Sequence, residues 1–134
     1  MSSNGRRILL ILLVLSASLV LTAPQRGNSA QNGRVTEMRL EASPNNFGGA
    51  CPVTINFHGF IRVDGPNTVI YAIQRSDGAS GEGQQTLHFG AAGSKPVHFS
   101  WKLGTPGENF RGWAQIASGN TRSDKAGFQI HCRR

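Results

Sequence analysis

The sequence predicts an all-β fold, a sandwich of seven antiparallel strands. Three observations lead to this prediction: apolar and polar residues alternate in seven short segments, turn-forming residues separate each pair of segments, and helical spacing is almost absent. Strict alternation is typical of a strand with one buried and one solvated face. The short connections leave no room for the crossover helices that a parallel sheet requires.

Each segment is defined by the apolar residues that share one face. In chain order they are Met38, Leu40 and Ala42; Val53, Ile55, Phe57, Ile61 and Val63; Val69, Tyr71 and Ile73; Leu87 and Phe89; Val97, Phe99, Trp101 and Leu103; Ala114 and Ile116; and Ala126, Phe128, Ile130 and Cys132. Turn formers separate the segments at residues 45–49, 64–67, 77–83, 90–96, 104–109 and 119–124. Seven strands in about 100 residues are the size of an immunoglobulin-like sandwich.

The two cysteines support this arrangement. Cys51 shares the parity of the buried residues at the start of the second segment, and Cys132 shares that of the seventh segment at its end. If successive strands alternate in direction, both positions lie at the same end of the sandwich. We therefore predict a Cys51–Cys132 disulfide, the alternative being two unpaired buried thiols. Antibody domains instead link the second strand to the sixth.

The first 30 residues have the pattern of an export signal. Arg6 and Arg7 precede residues 8–21, an uncharged and mainly apolar run that is short for a membrane span of about 20 residues. Cleavage is expected after Ala30, with Ala23 as the second candidate site, and an uncleaved anchor is the alternative. We predict a secreted, periplasmic or cell-envelope protein whose residues 31–134 form one domain, with no membrane contact after cleavage.

The charge of the chain argues against nucleic acid as a partner. The 134 residues include 14 Lys and Arg against 7 Asp and Glu, and removal of residues 1–30 leaves 11 bases against the same 7 acids. These bases are scattered and form no block that follows a phosphate backbone. The remaining positive charge favours a mild attraction to anionic polymers of the cell surface.

A search for catalytic motifs finds none. The sequence has no nucleophile elbow, no metalloprotease helix motif, no calcium loop and no phosphate-binding glycine loop that opens a helix. Asp77, Glu82 and Glu108 are the acids most suited to acid–base chemistry, but each stands alone in a predicted turn. We predict no catalytic residue, no cofactor and a protein that is not an enzyme.

Three histidines form a candidate metal site. His58, His88 and His98 lie on the outward parity of the second, fourth and fifth segments, which share one sheet in the immunoglobulin arrangement. One strand register places His88 directly opposite His98, and three imidazoles are sufficient ligands for zinc or copper. The alternative is three solvated side chains that do not converge.

Trp113 is a candidate contact residue. The parity of Ala114 and Ile116 turns Trp113 and Gln115 outward, and the neighbouring third segment presents Ile70 on the same side. Aromatic anchors are common in binding interfaces, so the three residues predict a small contact patch. The alternative is a bulge after Gly112 that would turn Trp113 into the core.

Several stretches of the chain carry a family resemblance. In order they are CPVTINFHGFI, VIYAIQRSDG, TLHF, VHFSWKLG, GWAQI and AGFQIHC. The series, over residues 43–132, resembles immunoglobulin-like domains of exported bacterial proteins. The resemblance implies a secreted β-sandwich with the Cys51–Cys132 bridge and carries no activity.

We therefore predict a secreted, non-enzymatic binding or adhesion module that acts as a monomer and contacts an extracellular protein or glycan. Two alternatives from other functional classes stay open. One is a small metal-binding protein that uses the outward histidines, and the other is a protease inhibitor that presents a loop of the sandwich.

Overall fold

Two β-sheets pack face to face in the computed structural model, which describes residues 32–80 and 82–134. The described residues form nine strands, which are β1 (Val35–Ser43), β2 (Asn46–Gly49), β3 (Val53–Val63), β4 (Asn67–Arg75), β5 (Gln85–Phe89), β6 (Gly93–Leu103), β7 (Asn109–Ser118), β8 (Thr121–Arg122) and β9 (Ala126–Cys132). No helix in these ranges is long and apolar enough to cross a membrane. The predicted export signal at residues 1–30 lies outside the described residues.

The smaller sheet has the strand order β1-β3-β6, and the larger sheet has the order β2-β9-β7-β4-β5, with β8 paired to β7. All seven predicted segments are strands, so the all-β sandwich is confirmed. The predicted strand number is wrong, because the structure also contains β2 and β8. These strands have four and two residues and are too short to show alternation. The sandwich is also not wholly antiparallel, since β2 runs parallel to β9.

The fourth predicted segment, β5, lies in the larger sheet, whereas the sequence predicted it in the same sheet as β3 and β6. It does not join β3 and β6 but pairs antiparallel with β4, with Val69 opposite Leu87. The two strands are consecutive in the chain and pair locally. Only residues 90–92 connect β5 to β6, so the chain crosses from an edge of the larger sheet to an edge of the smaller one.

Aromatic rings from both sheets meet in the core around Phe128 of β9. Its ring centroid lies 5.7 Å from that of Phe57, 5.3 Å from that of Trp101 and 6.0 Å from that of Phe110. Phe57 and Trp101 belong to the smaller sheet, whereas Phe110 and Phe128 belong to the larger one. The contacts of Phe128 with Phe57 and Trp101 are edge-to-face, which adds to the free energy gained by burial, so the cluster holds the two sheets together.

The Cys51–Cys132 disulfide is confirmed and joins the sheets covalently. Cys51 precedes β3 of the smaller sheet, Cys132 ends β9 of the larger sheet, and their Cα atoms are 5.4 Å apart. Gly104 packs directly against the bridge with a φ of +96°. A Cβ at this position would lie 2.8 Å and 2.9 Å from the two sulfur atoms, so both the space and the backbone conformation require glycine.

Gly112 of β7 points into the aromatic cluster. A Cβ there would lie 2.5 Å from a ring carbon of Phe110, 2.9 Å from the Ser76 hydroxyl and 3.0 Å from the tip of the Phe128 ring. The missing side chain therefore provides the space that these rings occupy.

Removal of the disulfide should reduce stability strongly. The bridge spans a sequence separation of 81, and constraint of the unfolded chain over such a loop corresponds to about 4.5 kcal/mol at most. We expect the Cys51→Ala/Cys132→Ala variant to lose about 3–4.5 kcal/mol of unfolding free energy in urea titrations. The reduced wild-type protein should unfold like the variant, and a loss below about 1 kcal/mol would contradict this prediction.

The substitution Gly112→Ala should destabilise the core. The added methyl group has to displace packed rings, and overpacking of this kind costs about 1–3 kcal/mol. Gly90→Ala is the matched control, because a Cβ at Gly90 would meet no atom within 4 Å. Thermal unfolding of both variants measures the difference, and equal midpoints would contradict the packing argument.

Candidate functional site

The outer faces of the two sheets differ in charge. On the smaller sheet, Glu37 accepts a hydrogen bond from Arg62 at 2.7 Å and lies 3.8 Å from Arg39. By contrast, none of the described strands of the larger sheet contains Asp or Glu. Glu37 therefore compensates Arg39 and Arg62 on the smaller sheet, whereas the described strands of the larger sheet contain cations but no carboxylates.

Trp113 lies on the outer face of the larger sheet. β7 and β9 pair in unbroken register through this region, with Trp113 opposite Gly127, and Gly112 and Ala114 on either side of Trp113 are buried. The backbone of Trp113 is fixed by Ser76, whose amide donates to the Trp113 carbonyl at 2.9 Å. No bulge turns the indole into the core.

Basic and amide side chains surround the indole. The ammonium nitrogen of Lys125 lies 4.2 Å from the centroid of the Trp113 ring, and Arg111 donates to the side-chain oxygen of Gln129 at 3.1 Å. These four residues and Asn45 line an open groove with a volume of about 430 Å³.

We call this region the Trp113 surface and define it by Asn45, Arg111, Trp113, Gln115, Lys125 and Gln129. Gln115 extends it along β7 and donates to Gln74 of β4 at 2.8 Å. Trp113 also lines a second open pocket of about 320 Å³, together with Gln74, Arg75, Gly78, Ala79 and Ser80. The indole thus stands between two depressions of the surface.

Arg75 in the second pocket has its charge compensated. Its guanidinium carbon lies 4.0 Å from the centroid of the Trp101 ring, and its Nε donates to Asp77 at 3.1 Å. Partial burial acts to raise the pKa of Asp77, but the hydrogen bonds from Arg75 and the Ala79 amide and the charge of Arg75 outweigh it. The pKa of Asp77 is therefore below its ordinary value.

Ile70 does not lie beside Trp113. The Ile70 side chain is 52% exposed. The neighbour of Trp113 on the β4 side is Ser76, which lies six residues after Ile70 in the chain. At about 3.3 Å per residue, Ile70 is about 20 Å from the indole. Of the predicted patch, the structure brings together only Trp113 and Gln115.

The three predicted metal ligands do not converge, because β5 belongs to the larger sheet. His58 is directly opposite His98 on the smaller sheet, and its ring lies 4.0 Å from Glu41. His88 instead faces Thr68 on the larger sheet, with 3.2 Å between the Thr68 hydroxyl and the imidazole. Within residues 32–80 and 82–134, no group of three or more His, Cys, Asp or Glu side chains is arranged to hold a metal ion.

Two of the acids considered for catalysis have structural contacts. Asp77 is paired with Arg75, and the Glu108 carboxylate accepts hydrogen bonds from the Thr105 amide at 2.8 Å and hydroxyl at 3.2 Å. Both acids therefore stabilise the loops that carry them.

Sequence reasoning did not identify Asn45, Arg111, Lys125 or Gln129 as parts of the surface. Arg111 lies two residues before Trp113 in the same segment, so alternation along the strand already indicates that both side chains lie on the same face. Asn45 and Lys125 lie outside the strands, so alternation does not indicate where they point.

No family model and no curated protein sequence matches this chain. Among solved structures, the CARDB domain of the PF1109 protein from Pyrococcus furiosus, in complex with di-metal ions, has a TM-score of 0.50 and 14% identity; the match covers 76% of this chain and 94% of that chain. A β-glucosidase from Listeria innocua in complex with glucose has a TM-score of 0.51 and 12% identity, over 72% of this chain and 16% of that one. These similarities show the fold alone, a CARDB-like β-sandwich. The disulfide is consistent with an extracellular or cell-envelope location.

The ion pair of Asp77 predicts a pH-dependent stability. Because its pKa is lowered on folding, the stabilisation is complete above the unfolded value of about 3.9 and is lost as the pH falls through the lower folded value. At neutral pH we expect Asp77→Asn to lose about 0.5–1 kcal/mol, and this difference should vanish at low pH.

Urea unfolding of the wild type and the variant between pH 2 and pH 7 measures this difference. Asp124→Asn is the control, because Asp124 is exposed and forms no ion pair with another described residue. A difference that is equally large at pH 2 and pH 7 would show that charge is not its cause.

Proposed function

We propose that this protein is a secreted, non-enzymatic binding module that contacts an extracellular protein or glycan through the Trp113 surface. The observation that carries the proposal is the position of Trp113, a large aromatic residue held outward on a rigid strand between two open depressions. Aromatic residues with a polar surround are typical anchors of binding interfaces.

The environment of the indole supports binding as its role. Trp113 is half-buried and lies outside the aromatic cluster that holds the sheets together. Its strand β7 pairs with β9 over residues 109–114 and with β4 over residues 114–117, and Ser76 hydrogen-bonds the Trp113 backbone. A side chain on such a strand is presented with little loss of conformational freedom, which lowers the cost of binding.

The export pattern of residues 1–30, the disulfide and the CARDB-like sandwich support secretion. The loop contacts of Asp77 and Glu108 support a role without catalysis, since a general acid or base needs a carboxyl group that is free to exchange a proton with substrate. Binding through the surface of a sheet needs neither cofactor nor partner subunit, and we propose a monomer.

Binding of the purified protein to cell-envelope preparations tests the proposal. We expect Trp113→Ala to weaken retention at least about tenfold, which is the effect expected for an anchor residue. Phe60→Ala is a matched control, because Phe60 also lies half-buried beneath a cation, with the Arg62 guanidinium carbon 5.2 Å from its ring, but on the smaller sheet.

Retention that is equal in both variants would overturn the Trp113 surface as the contact site. Absence of retention together with hydrolase activity of the pure protein would overturn the binding function itself. Circular dichroism and thermal unfolding of each variant verify that its fold is retained.

A further inference from the structure

We infer that the ligand of the Trp113 surface is a carboxylate-bearing polysaccharide, a chain that contains uronic acids. This inference rests on the proposed binding function and names the chemical class of its ligand. Three features of the groove support it: two cations without carboxylate partners, amide side chains beside them, and an aromatic ring that is accessible from the groove.

The cations are the first feature. Among the described residues, neither Arg111 nor Lys125 forms an ion pair, whereas Arg75 in the neighbouring pocket is paired with Asp77. Asp124 precedes Lys125 in the chain and forms no ion pair with it. An anion that enters the groove can therefore bind both cations without displacing a carboxylate of the protein.

The amides are the second feature. The side chains of Asn45 and Gln129 line the groove with the two cations. An amide both donates and accepts hydrogen bonds, which matches the hydroxyl groups of a sugar, and Arg111 already orients Gln129 through its 3.1 Å contact.

The indole is the third feature. The negative face of an aromatic ring attracts the partial positive charge of C–H groups, which the apolar side of a sugar ring presents. Lys125 lies over the ring, but it is exposed, and a cation–π contact at an exposed site is worth only about 0.5–1 kcal/mol. A ligand carboxylate can therefore draw the flexible ammonium group away from the ring and make it accessible to the adjoining sugar.

The floor of the groove favours a ligand that is recognised through side chains. Addition of a strand to a sheet edge, one mode of peptide binding, needs unpaired backbone. The groove lies over residues 111–113 of β7 and 127–129 of β9, and these segments pair with each other. A ligand that lies over this paired backbone is recognised through side chains, as is suited to a polysaccharide.

Titration calorimetry of the full protein with defined polymers tests the inference. The probes are polygalacturonate, alginate, fully methyl-esterified polygalacturonate and poly-glutamate, in buffer free of calcium. We expect binding to at least one of the two uronate polymers, with an affinity at least about tenfold higher than for the ester or for poly-glutamate. Affinity for the uronate should fall as salt is raised.

Variants assign the binding to the groove. Arg111→Gln and Lys125→Gln should each weaken uronate binding about tenfold, because each removes a charge-assisted contact. Lys102→Gln is the matched control, since Lys102 is an exposed cation on the outer face of the smaller sheet, and it should bind like the wild type. Trp113→Ala should abolish the preference for the uronate over poly-glutamate.

Binding to neither uronate polymer would overturn the inference, as would equal binding of the acid and ester forms. Poly-glutamate binding of equal strength would also overturn it, and would indicate an acidic protein as the partner. If retention on cell envelope depends on Trp113 while both uronate polymers fail to bind, the proposed function holds and only the ligand class is wrong.

Discussion

The packing of the Phe128 ring against Gly112 is the constraint on which the rest of the structure depends. Rings from both sheets surround Phe128, and they fit only because the position across from it on β7 has no side chain. Since residues of a strand alternate between faces, an inward Gly112 places Trp113 outward. The core therefore fixes both the separation of the sheets and the outward direction of Trp113.

The Trp113 surface lies over a part of the larger sheet that both the aromatic cluster and the disulfide connect to the smaller sheet. Trp113 is opposite Gly127, next in sequence to Phe128, and β9 continues from there to the disulfide at Cys132. The aromatic cluster, the bridge and the pairing of β7 with β9 all restrict motion beneath the groove. A site on such a framework loses little entropy when a ligand binds, and its adaptable parts are side chains such as Lys125.

Alternation in the sequence predicted every long strand, the buried residues and the disulfide, because parity is a local property of the chain. It did not predict register or sheet membership. A shift of two residues along β4 preserves parity, so Ile70 and Trp113 satisfied the same pattern although they lie far apart. In the same way, the pairing of His58 with His98 depends on the β3–β6 register, and the position of His88 depends on β5 pairing with β4. These choices follow from tertiary contacts that the pattern does not contain.

The two cations beside Trp113 differ from Arg39 and Arg62 on the smaller sheet, because no carboxylate of the described residues compensates them. Arg39 and Arg62 on the smaller sheet lie next to Glu37, so an approaching polyanion would have to displace a carboxylate to reach them. Arg111 and Lys125 present their charge to solvent without that competition. Salt screens both faces, but an anion that reaches Arg111 and Lys125 gains contacts without breaking an ion pair of the protein. For the polyanion that we infer as the ligand, the two cations therefore lie on the same face as the indole, which the inward position of Gly112 turns outward.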